Sequence, residues 1–403
     1  MSKEKRFKNI NKNTINESKK MANTKDKNDN SFLIKRLIIF IFTFLGVFAA
    51  FYISSLPFRD FIDTNILKKE VKENSLKEIY EEVNAKNVFL SSKNVHILSS
   101  GELKTYDKNG NFLSSNILSI GNAVSDQVGD YMVLGEKDGR KIFLFEKGKL
   151  KWEREIEGNI DNVYINKNGK ICVIGKTSIY NSLIVLIDDN GNSSLKRYFK
   201  SKYISKAGIS GNDKFLVMAL VDYEKIKIQS EIEIMDIEKA INDEEGAIIK
   251  KYEKDELILD IDVQDTEETL VKCLKEIYLV NKDGERKVHD ISNETSFVTI
   301  KLNGGFAEVN QIKTNIFKAE NELKFYDKYG NNAGVLLLDD NIPKDVIGAR
   351  SNILVEMPQQ VIVSSDIGWL KKRYTSKRNF IDVKISEEII AVIYNDQISV
   401  ISI

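Results

Sequence analysis

The chain has 403 residues, enough for two or three ordinary domains or for one large repeat fold. Apolar residues make up 42% and charged residues 30%, so the composition excludes wholesale disorder, collagen and a membrane protein with many spans. The formal net charge is zero, but residues 1–36 contain eleven basic and four acidic side chains, which leaves the rest acidic and argues against nucleic-acid binding.

Residues 1–36 form a tail rich in Lys and Asn that has almost no apolar side chains. Such a segment cannot bury enough surface to offset the entropy of ordering, so we predict a disordered tail. Its positive charge has two interpretations. It either attracts anionic lipid or an acidic cytoplasmic partner, or it serves only to set membrane topology.

Residues 37–56 contain no charged side chain, and twenty residues of helix span the hydrocarbon core of a bilayer, about 30 Å thick. Lys35 and Arg36 precede the segment, so the positive-inside rule predicts a cytoplasmic tail, with residues 57–403 outside the cell membrane. A cleaved signal peptide is the alternative, although the charged region before the apolar run is long for one.

Residues 57–86 place apolar side chains three to five positions apart among Lys and Glu. This spacing predicts an amphipathic helical stalk between the span and the next domain. The stalk would pack on that domain or form a dimer seam, and packing is favoured because no heptad repeat is sustained.

Residues 87–403 consist of short β-rich runs that end in polar turns. Strand-and-turn units recur every 37 to 48 residues, with Asn-Gly or Asp-Gly pairs at several turns. This period predicts an all-β protein, a β-propeller with seven or eight blades. Continuous apolar runs suit inner strands covered on both faces by neighbouring blades. They are Tyr131–Leu134, Ile171–Ile174, Phe215–Leu220, Ile353–Val355 and Ile389–Ile393.

The end of the chain predicts how the propeller closes. Residues 380–403 read as three strands without a fourth. Because a propeller removes its open edge by pairing the two ends of the chain, we predict that Val88–Ser91 completes the last blade. Eight strand ends favour eight blades, and seven would result if the first and last units share one.

Few residues suggest catalysis. His96 and His289, the two histidines, lie in predicted strands without a surrounding motif, so we expect structural roles. Cys172 and Cys273 lie two units apart, too far for a disulfide, and are predicted to be free and buried. The Asp-x-x-Gly turns place Gly fourth rather than sixth, which favours hairpins over calcium loops. We predict neither a metal nor a cofactor.

One basic cluster is a candidate binding surface on an otherwise acidic domain. It has five basic residues and one tyrosine within eight positions: Lys371, Lys372, Arg373, Tyr374, Lys377 and Arg378. It would bind an acidic protein, an anionic wall polymer or lipid headgroups. A solvated loop before the last blade is the alternative interpretation.

The apolar strand followed by an Asp-x-x-Gly turn resembles the units of the pyrroloquinoline-quinone-type and WD-type propellers. Trp152 and Trp369 match the Trp that quinone-type units repeat, whereas the Gly-His and Trp-Asp signatures of WD repeats do not occur. The layout of basic tail, single span and outer propeller is similar to a single-pass membrane propeller family of Gram-positive bacteria whose function is unassigned. The quinone enzymes bind their cofactor and calcium through residues that have no counterpart here.

The sequence therefore predicts a membrane-anchored, extracytoplasmic propeller that acts as a non-catalytic scaffold for a protein or polymer of the cell envelope. The alternative is a lyase, hydrolase or quinone-type oxidoreductase with its site in the central funnel. The enzyme hypothesis requires charged or His side chains that converge on the propeller axis.

Overall fold

The computed structural model describes residues 34–67, 69–82, 84–223, 229–243, 245–291, 297–315, 318–338 and 342–403. The chain divides into two compact units, Met1–Lys68 and Lys69–Ile403. The predicted disordered tail lies outside the described residues except for positions 34–36, which are helical.

The first unit contains one long apolar helix, α1 (Ile34–Ser54), whose side chains are almost all exposed. Its 21 residues extend about 30 Å, so the helix is long enough to cross a membrane. It fits a single-pass membrane anchor or a signal sequence. Helix α2 (Leu56–Phe61) has a proline in its first turn and continues as one π-helical turn, Ile62–Ile66.

The second unit begins with two short strands, β1 (Glu70–Val71) and β2 (Lys77–Ile79), and two 3-10 turns, Glu73–Ser75 and Ala85–Asn87. The helical stalk predicted for residues 57–86 is therefore helical at its start, whereas Glu70–Val71 and Lys77–Ile79 are strands. The prediction was wrong for these two strands.

The described residues that follow form eight blades of antiparallel strands around one axis. The strands of blades 1 to 4 are β3 (Val88–Ser91), β4 (Asn94–Ser99), β5 (Glu102–Asp107) and β6 (Phe112–Ile117); β7 (Ala123–Val128), β8 (Tyr131–Glu136), β9 (Lys141–Glu146) and β10 (Lys149–Glu155); β11 (Asn159–Ile165), β12 (Ile171–Lys176), β13 (Ser182–Ile187) and β14 (Ser193–Phe199); β15 (Lys202–Ile209), β16 (Phe215–Asp222), β17 (Gln229–Asp236) and β18 (Ile248–Lys254).

The strands of blades 5 to 8 are β19 (Ile258–Val263), β20 (Thr269–Cys273), β21 (Glu276–Val280) and β22 (Glu285–Asp290); β23 (Val298–Thr299), β24 (Gly305–Asn315), β25 (Lys318–Asp327) and β26 (Asn332–Leu337); β27 (Asp345–Ala349), β28 (Asn352–Glu356), β29 (Gln360–Ser365) and β30 (Leu370–Thr375); β31 (Asp382–Ile385), β32 (Ile389–Ile393) and β33 (Ile398–Ser402). A short helix, α3 (Ile237–Ala240), lies between β17 and β18. The prediction of an all-β propeller is confirmed, with eight blades.

Blade 8 has only three strands from the end of the chain, and β2 supplies the fourth by pairing antiparallel with β33. Val88–Ser91, predicted as the closing strand, is instead β3, the first strand of blade 1. The prediction chose the first segment with a β-rich composition, whereas the closing strand is three residues long and its apolar spacing is also that of a helix. Strand β1 pairs parallel with β30 and makes blade 7 five-stranded.

The first strands surround the axis, because those of neighbouring blades contact one another, as β7 contacts β11 and β15 contacts β19.

Antiparallel strands place alternate connections on opposite sides of the ring. We call face 1 the side with the connections between first and second strands and between third and fourth strands. Face 2 carries the connections between second and third strands and those between blades.

The hydrophobic core lies between blades. Ile142 and Leu144 of blade 2, for example, pack against Val173 and Val185 of blade 3. The five apolar runs predicted as inner strands are parts of β8, β12, β16, β28 and β32, the second strands of their blades, and they are largely buried. Covering both faces of these strands explains why the runs are continuous rather than alternating.

The Asp-x-x-Gly sequences form the predicted hairpin turns on face 1. Asp107 Oδ1 accepts the backbone N–H groups of Asn109 and Asn111 at 2.8 and 2.9 Å, and the arrangement recurs at Asp188 and Asp327. Burial tends to raise the pKa of Asp107, but these hydrogen bonds outweigh it and lower the pKa. The residue at 330 is Gly because its φ is +85° and a Cβ there would lie 2.2 Å from the Val288 carbonyl oxygen.

Candidate functional site

The basic cluster predicted to bind a partner lies on β30 and in the connection that follows. Tyr374 is only 2% exposed, and its hydroxyl lies 3.1 Å from the hydroxyl of Tyr394 between blades 7 and 8. It therefore cannot contact a partner at the surface, contrary to the prediction. The sequence could not indicate this, because an aromatic residue within a basic run reads equally well as exposed or as an inward-facing strand residue.

The basic side chains of the cluster are divided between strand and loop. Lys377 lies 2.8 Å from Glu73, and Arg378 lies 2.5 Å from Asp396, so each exposed charge of the loop has an acidic neighbour. Three more basic residues are half-buried along β30: Lys371, Lys372 and Arg373. A binding role for these five residues stays a prediction.

The two histidines have protein partners. His96 is buried, with its ring nitrogens 2.9 Å from Ser91 Oγ and 3.0 Å from Thr105 Oγ1, and burial lowers its pKa to about 3. His289 Nε2 lies 2.8 Å from Oε2 of the buried Glu308. Ser91 and His96 could be taken for a nucleophile and its base, but both side chains are enclosed within blade 1. These positions fit the predicted structural roles.

The two cysteines are free and buried, as predicted. Cys172 lies in β12 and Cys273 in β20, the second strands of blades 3 and 5. Burial raises the pKa of both thiols, that of Cys273 to about 12. Thiols in this state are poor nucleophiles at neutral pH.

Charged side chains from four blades, with one tyrosine from a fifth, converge at the propeller axis. We call them the axial cluster: Asp126, Tyr164, Asp260, Asp262, Lys301 and Arg350. The charges of Lys301 in blade 6 and Arg350 in blade 7 act on Asp126 in blade 2, on the other side of the ring. Groups on such distant blades come close only at the axis, near face 1.

Two carboxylates of the axial cluster, Asp126 and Asp262, are half-buried near the axis. Burial raises the pKa of Asp126, opposed by backbone N–H bonds from Ile165 at 2.8 Å and Gln127 at 2.9 Å. Burial also raises the pKa of Asp262 to about 6, opposed chiefly by the charge of Lys301. Neither carboxylate has a cation within 4 Å in the described part of the chain.

Lys301 and Arg350 follow the first strands of blades 6 and 7, and their backbones are joined. The Arg350 N–H donates to the Lys301 carbonyl oxygen at 3.0 Å. Gly348 permits this close approach, because a Cβ there would lie 2.6 Å from the same oxygen. The side chains go to different neighbours: Lys301 contacts Ile261 and Asp260 in blade 5, whereas Arg350 lies 3.9 Å from Glu387 in blade 8.

Sequence reasoning missed the axial cluster. The only local signal is polar residues in first strands, as in Ile258–Val263, where two Asp alternate with apolar residues. The convergence required of an enzyme site is present. Among the described residues, however, no group of three or more His, Cys, Asp or Glu is arranged to hold a metal ion.

A cleft of about 450 Å³ opens on face 1 between blades 3 and 4. Two of its four carboxylates stabilise turns: Asp188 accepts backbone N–H groups of its own hairpin, and Asp236 caps α3 by accepting the Lys239 N–H at 3.1 Å. A third, Asp213, accepts a hydrogen bond from the Asn166 side chain and lies 3.6 Å from Lys170. Because these three carboxylates already have partners in the protein, the cleft is a weaker candidate than the axis.

Face 2 exposes apolar and aromatic side chains across blades 3 to 5. We call this the blade 3–5 surface: Ile179, Tyr203, Tyr223, Leu257 and Leu274. The Tyr203 and Tyr223 rings lie 5.1 Å apart, and the side chain of Asn181 reaches the Tyr223 hydroxyl from blade 3. The Lys275 N–H donates to Glu256 Oε2 at 3.0 Å, which joins the connections that carry Leu274 and Leu257.

Residues 65–403 match the model of a family of unknown function, DUF5711. The chain belongs to this family. The match covers the whole propeller together with β1 and β2, so in this DUF5711 chain the closing strands lie within the family's domain. A search of curated proteins found no match.

Solved structures share the fold of this DUF5711 chain at low identity. The C-terminal WD40 domain of Sif2 has a TM-score of 0.54 at 14% identity, over 81% of this chain and 99% of that one. Sqt1 from Chaetomium thermophilum, bound to the N-terminus of ribosomal protein L10, has 0.53 at 10%, over 81% and 99%. The computationally designed Ika8 protein has 0.52 at 10%, over 80% and 98%. At these identities the similarity concerns the fold alone.

Proposed function

We propose that this chain is a membrane-anchored, extracytoplasmic propeller that binds a protein of the cell envelope without catalysing a reaction, and that the blade 3–5 surface is the contact. The observation that carries the proposal is the exposure of large apolar side chains there. Ile179 is 73% exposed, Leu274 58% and Tyr203 47%. Large apolar side chains exposed together on one face of a domain mark candidate interaction sites.

The chemistry of the surface favours a protein over a polymer. Aromatic and aliphatic side chains supply the buried centre of protein interfaces, and tyrosine is enriched among residues that dominate binding energy. An anionic wall polymer would instead require a basic surface, and the basic cluster on β30 is partly neutralised by Glu73 and Asp396. Sqt1, a structural neighbour, binds a peptide segment of another protein.

Site-specific crosslinking in intact cells tests this proposal. A photo-crosslinking amino acid in place of Tyr203, in the full-length protein, should capture one envelope protein. The same amino acid in place of Ile367, an exposed residue on face 1, should not. Adding Ile179→Asp and Leu274→Asp should reduce the yield at least about tenfold, because each places a charge in a desolvated contact. Ile367→Asp is the matched control.

Equal capture of the same protein from both positions, or an unchanged yield with the two aspartates, would contradict the assignment of this surface.

The axial cluster supports a second candidate, a hydrolase or lyase in the channel. The pKa of Asp262, about 6, suits a general acid or base near neutral pH. Asp262→Asn would then abolish turnover of a substrate while the crosslink at position 203 persists. The scaffold hypothesis predicts that this variant retains all function in the cell.

A further inference from the structure

We propose that β6, the outer strand of blade 1, is a self-association edge, at which two copies of this chain pair their β6 strands antiparallel. Pairing joins the two blades into one continuous sheet. The edge lies on a different blade from the blade 3–5 surface, so the inference goes beyond the envelope partner proposed above.

The outer edge of β6 is open. The strand pairs with β5 on one side, and no strand in the described part of the chain pairs with its other side. Blades 7 and 8 differ in this respect, because β1 pairs with the outer side of β30 and β2 with that of β33. An open edge presents a row of unpaired N–H and C=O groups that another strand can match.

Other outer strands of this propeller are protected against such pairing. Charged side chains on an edge oppose strand addition, and the outer strands of blades 2 to 5 each contain at least two: β10, β14, β18 and β22. Strand β26 of blade 6 has no charge, but its exposed residues are Asn332 and Ala333, and Gly334 packs closely against the Ile367 carbonyl oxygen of blade 7. Strand β6 has neither kind of protection, because it contains no charged residue and exposes large apolar ones.

The exposed apolar residues of β6 lie on one face of the strand. Leu113 is 53% exposed, and Ile117 is 82% exposed, the highest value for a large apolar side chain among the described residues. Residues two positions apart in a strand share a face, so Leu113, Ser115 and Ile117 point the same way. Burying these side chains against a second strand would therefore be favourable.

The backbone of β6 alternates between its partner β5 and the open edge. The Leu118 N–H donates to the Gly101 carbonyl oxygen at 2.8 Å, so Asn116, two positions earlier, also bonds toward β5. Ser115 and Ile117 therefore direct their N–H and C=O groups toward the open edge.

These directions define one self-complementary register. Antiparallel pairing requires outward-directed residues to meet. When Ser115 lies on the two-fold axis, it faces Ser115 of the second copy, and Leu113 faces Ile117 of that copy. The apolar pair then occurs twice on one face of the joined sheet, with Cβ atoms about 5 Å apart. An isologous interface must complement itself, and β6 does so because it has no charge to oppose its copy.

A second copy is also the occupant that a contact of this size favours. One strand pair buries less than the roughly 800 Å² per partner of a standard interface between free proteins. Copies that α1 holds in one membrane meet at a high effective concentration, so a smaller contact suffices. This step rests on the membrane anchor of the proposed function.

Disulfide trapping of the full-length protein in membranes tests the pairing. Ser115→Cys should crosslink two copies on oxidation with copper phenanthroline, because residues that exchange hydrogen bonds have Cα atoms about 5.5 Å apart, within disulfide range. Ser193→Cys, on an exposed position of the charged outer strand β14, is the matched control, and its yield should be at least about tenfold lower. The two native thiols are buried and do not compete.

Two further variants test the register. Leu113→Cys and Ile117→Cys should each fail to crosslink to itself, because like positions lie about 14 Å apart along the strands. When the two variants are coexpressed, they should crosslink to each other. Crosslinking of either variant to itself would contradict the register.

Charge on the edge should abolish the contact. Adding Leu113→Lys and Ile117→Lys to Ser115→Cys should lower the crosslink yield at least about tenfold. Both side chains are exposed, so this double variant should keep the Tm of the wild type. Leu150→Lys, on the outer strand of blade 2, is the matched control and should leave the yield unchanged.

A Ser115→Cys yield no higher than that of Ser193→Cys, or one that the double variant leaves unchanged, would show that β6 does not pair with its copy. Crosslinking of Ser115→Cys to a different protein would assign the edge to a strand of that protein and overturn the proposal. Photo-crosslinking from position 203 should be unaffected by the double variant, so failure of this edge and failure of the proposed function are distinguishable.

Discussion

The buried imidazole of His96 links the chemistry of one residue to the stability of blade 1. Both ring nitrogens have hydroxyl partners, Ser91 and Thr105, and the folded environment strongly disfavours the protonated ring. The unfolded chain takes up a proton near pH 6.5, whereas the folded protein resists protonation until about pH 3. The contribution of His96 is therefore complete above about pH 6.5 and is lost as the pH falls below it.

We predict that the free energy of unfolding falls by about 2 kcal/mol between pH 6.5 and pH 5 because of His96, and that His96→Gln removes this part of the slope. Urea unfolding of the full-length protein in detergent measures it. Asp262, whose pKa is raised, contributes with the opposite sign in the same window, but it is common to both proteins and cancels in the comparison. If the free energy of unfolding changes equally with pH in wild type and variant, His96 is not the cause of the change.

At this scale, residue type predicted the surroundings of some residues and not of others. His96 and the cysteines were placed correctly because an isolated His or Cys in an apolar strand is usually buried. Tyr374 was misplaced because strand residues alternate between faces and a basic run conceals the register. Arg350 was missed because nothing local distinguishes an arginine near the axis from any other loop residue.

At the scale of elements, the closing strand β2 is the clearest case of tertiary contacts overriding local pattern. Its three residues pair with β33, and Ile79 packs with Val88, Ile97 and Val400. In isolation a strand this short has no stability, and the spacing of Leu76 and Ile79 also fits a helix. The open edge of blade 8 supplies the backbone partners that decide between the two.

Ile79→Ala should destabilise the propeller by roughly 2–5 kcal/mol, because it removes a buried side chain where the ring closes. Lys77→Ala, two residues earlier on an exposed position of the same strand, should change stability by less than about 0.5 kcal/mol. Chemical unfolding of both variants measures the difference. A small effect of Ile79→Ala would mean that closure by β2 contributes little.

For the whole molecule, the orientation across the membrane is the prediction that decides where the propeller functions. Both native thiols are buried, so a maleimide that labels an introduced cysteine does not also label the native ones. A membrane-impermeant maleimide should label Lys147→Cys in intact cells and Ser2→Cys only after permeabilisation, as the positive-inside rule predicts. The reverse pattern would place the propeller in the cytoplasm, and absence of the Ser2→Cys tail from the mature protein would indicate a cleaved signal sequence.

Local periodicity accounts for what could be inferred before the structure. The apolar helix was predictable from an uncharged stretch of twenty residues, and the all-β propeller from a unit that recurs about every 40 residues. The hairpins were predictable from the turns that have a positive φ at Gly110, Gly191 and Gly330. Each of these signals reflects interactions between residues that are near in sequence. The closing strand, the burial of Tyr374 and the axial cluster depend on residues up to about 320 positions apart that meet only when the ring closes. No local sequence pattern predicts these long-range contacts, because they depend on the number of blades and on the register between them.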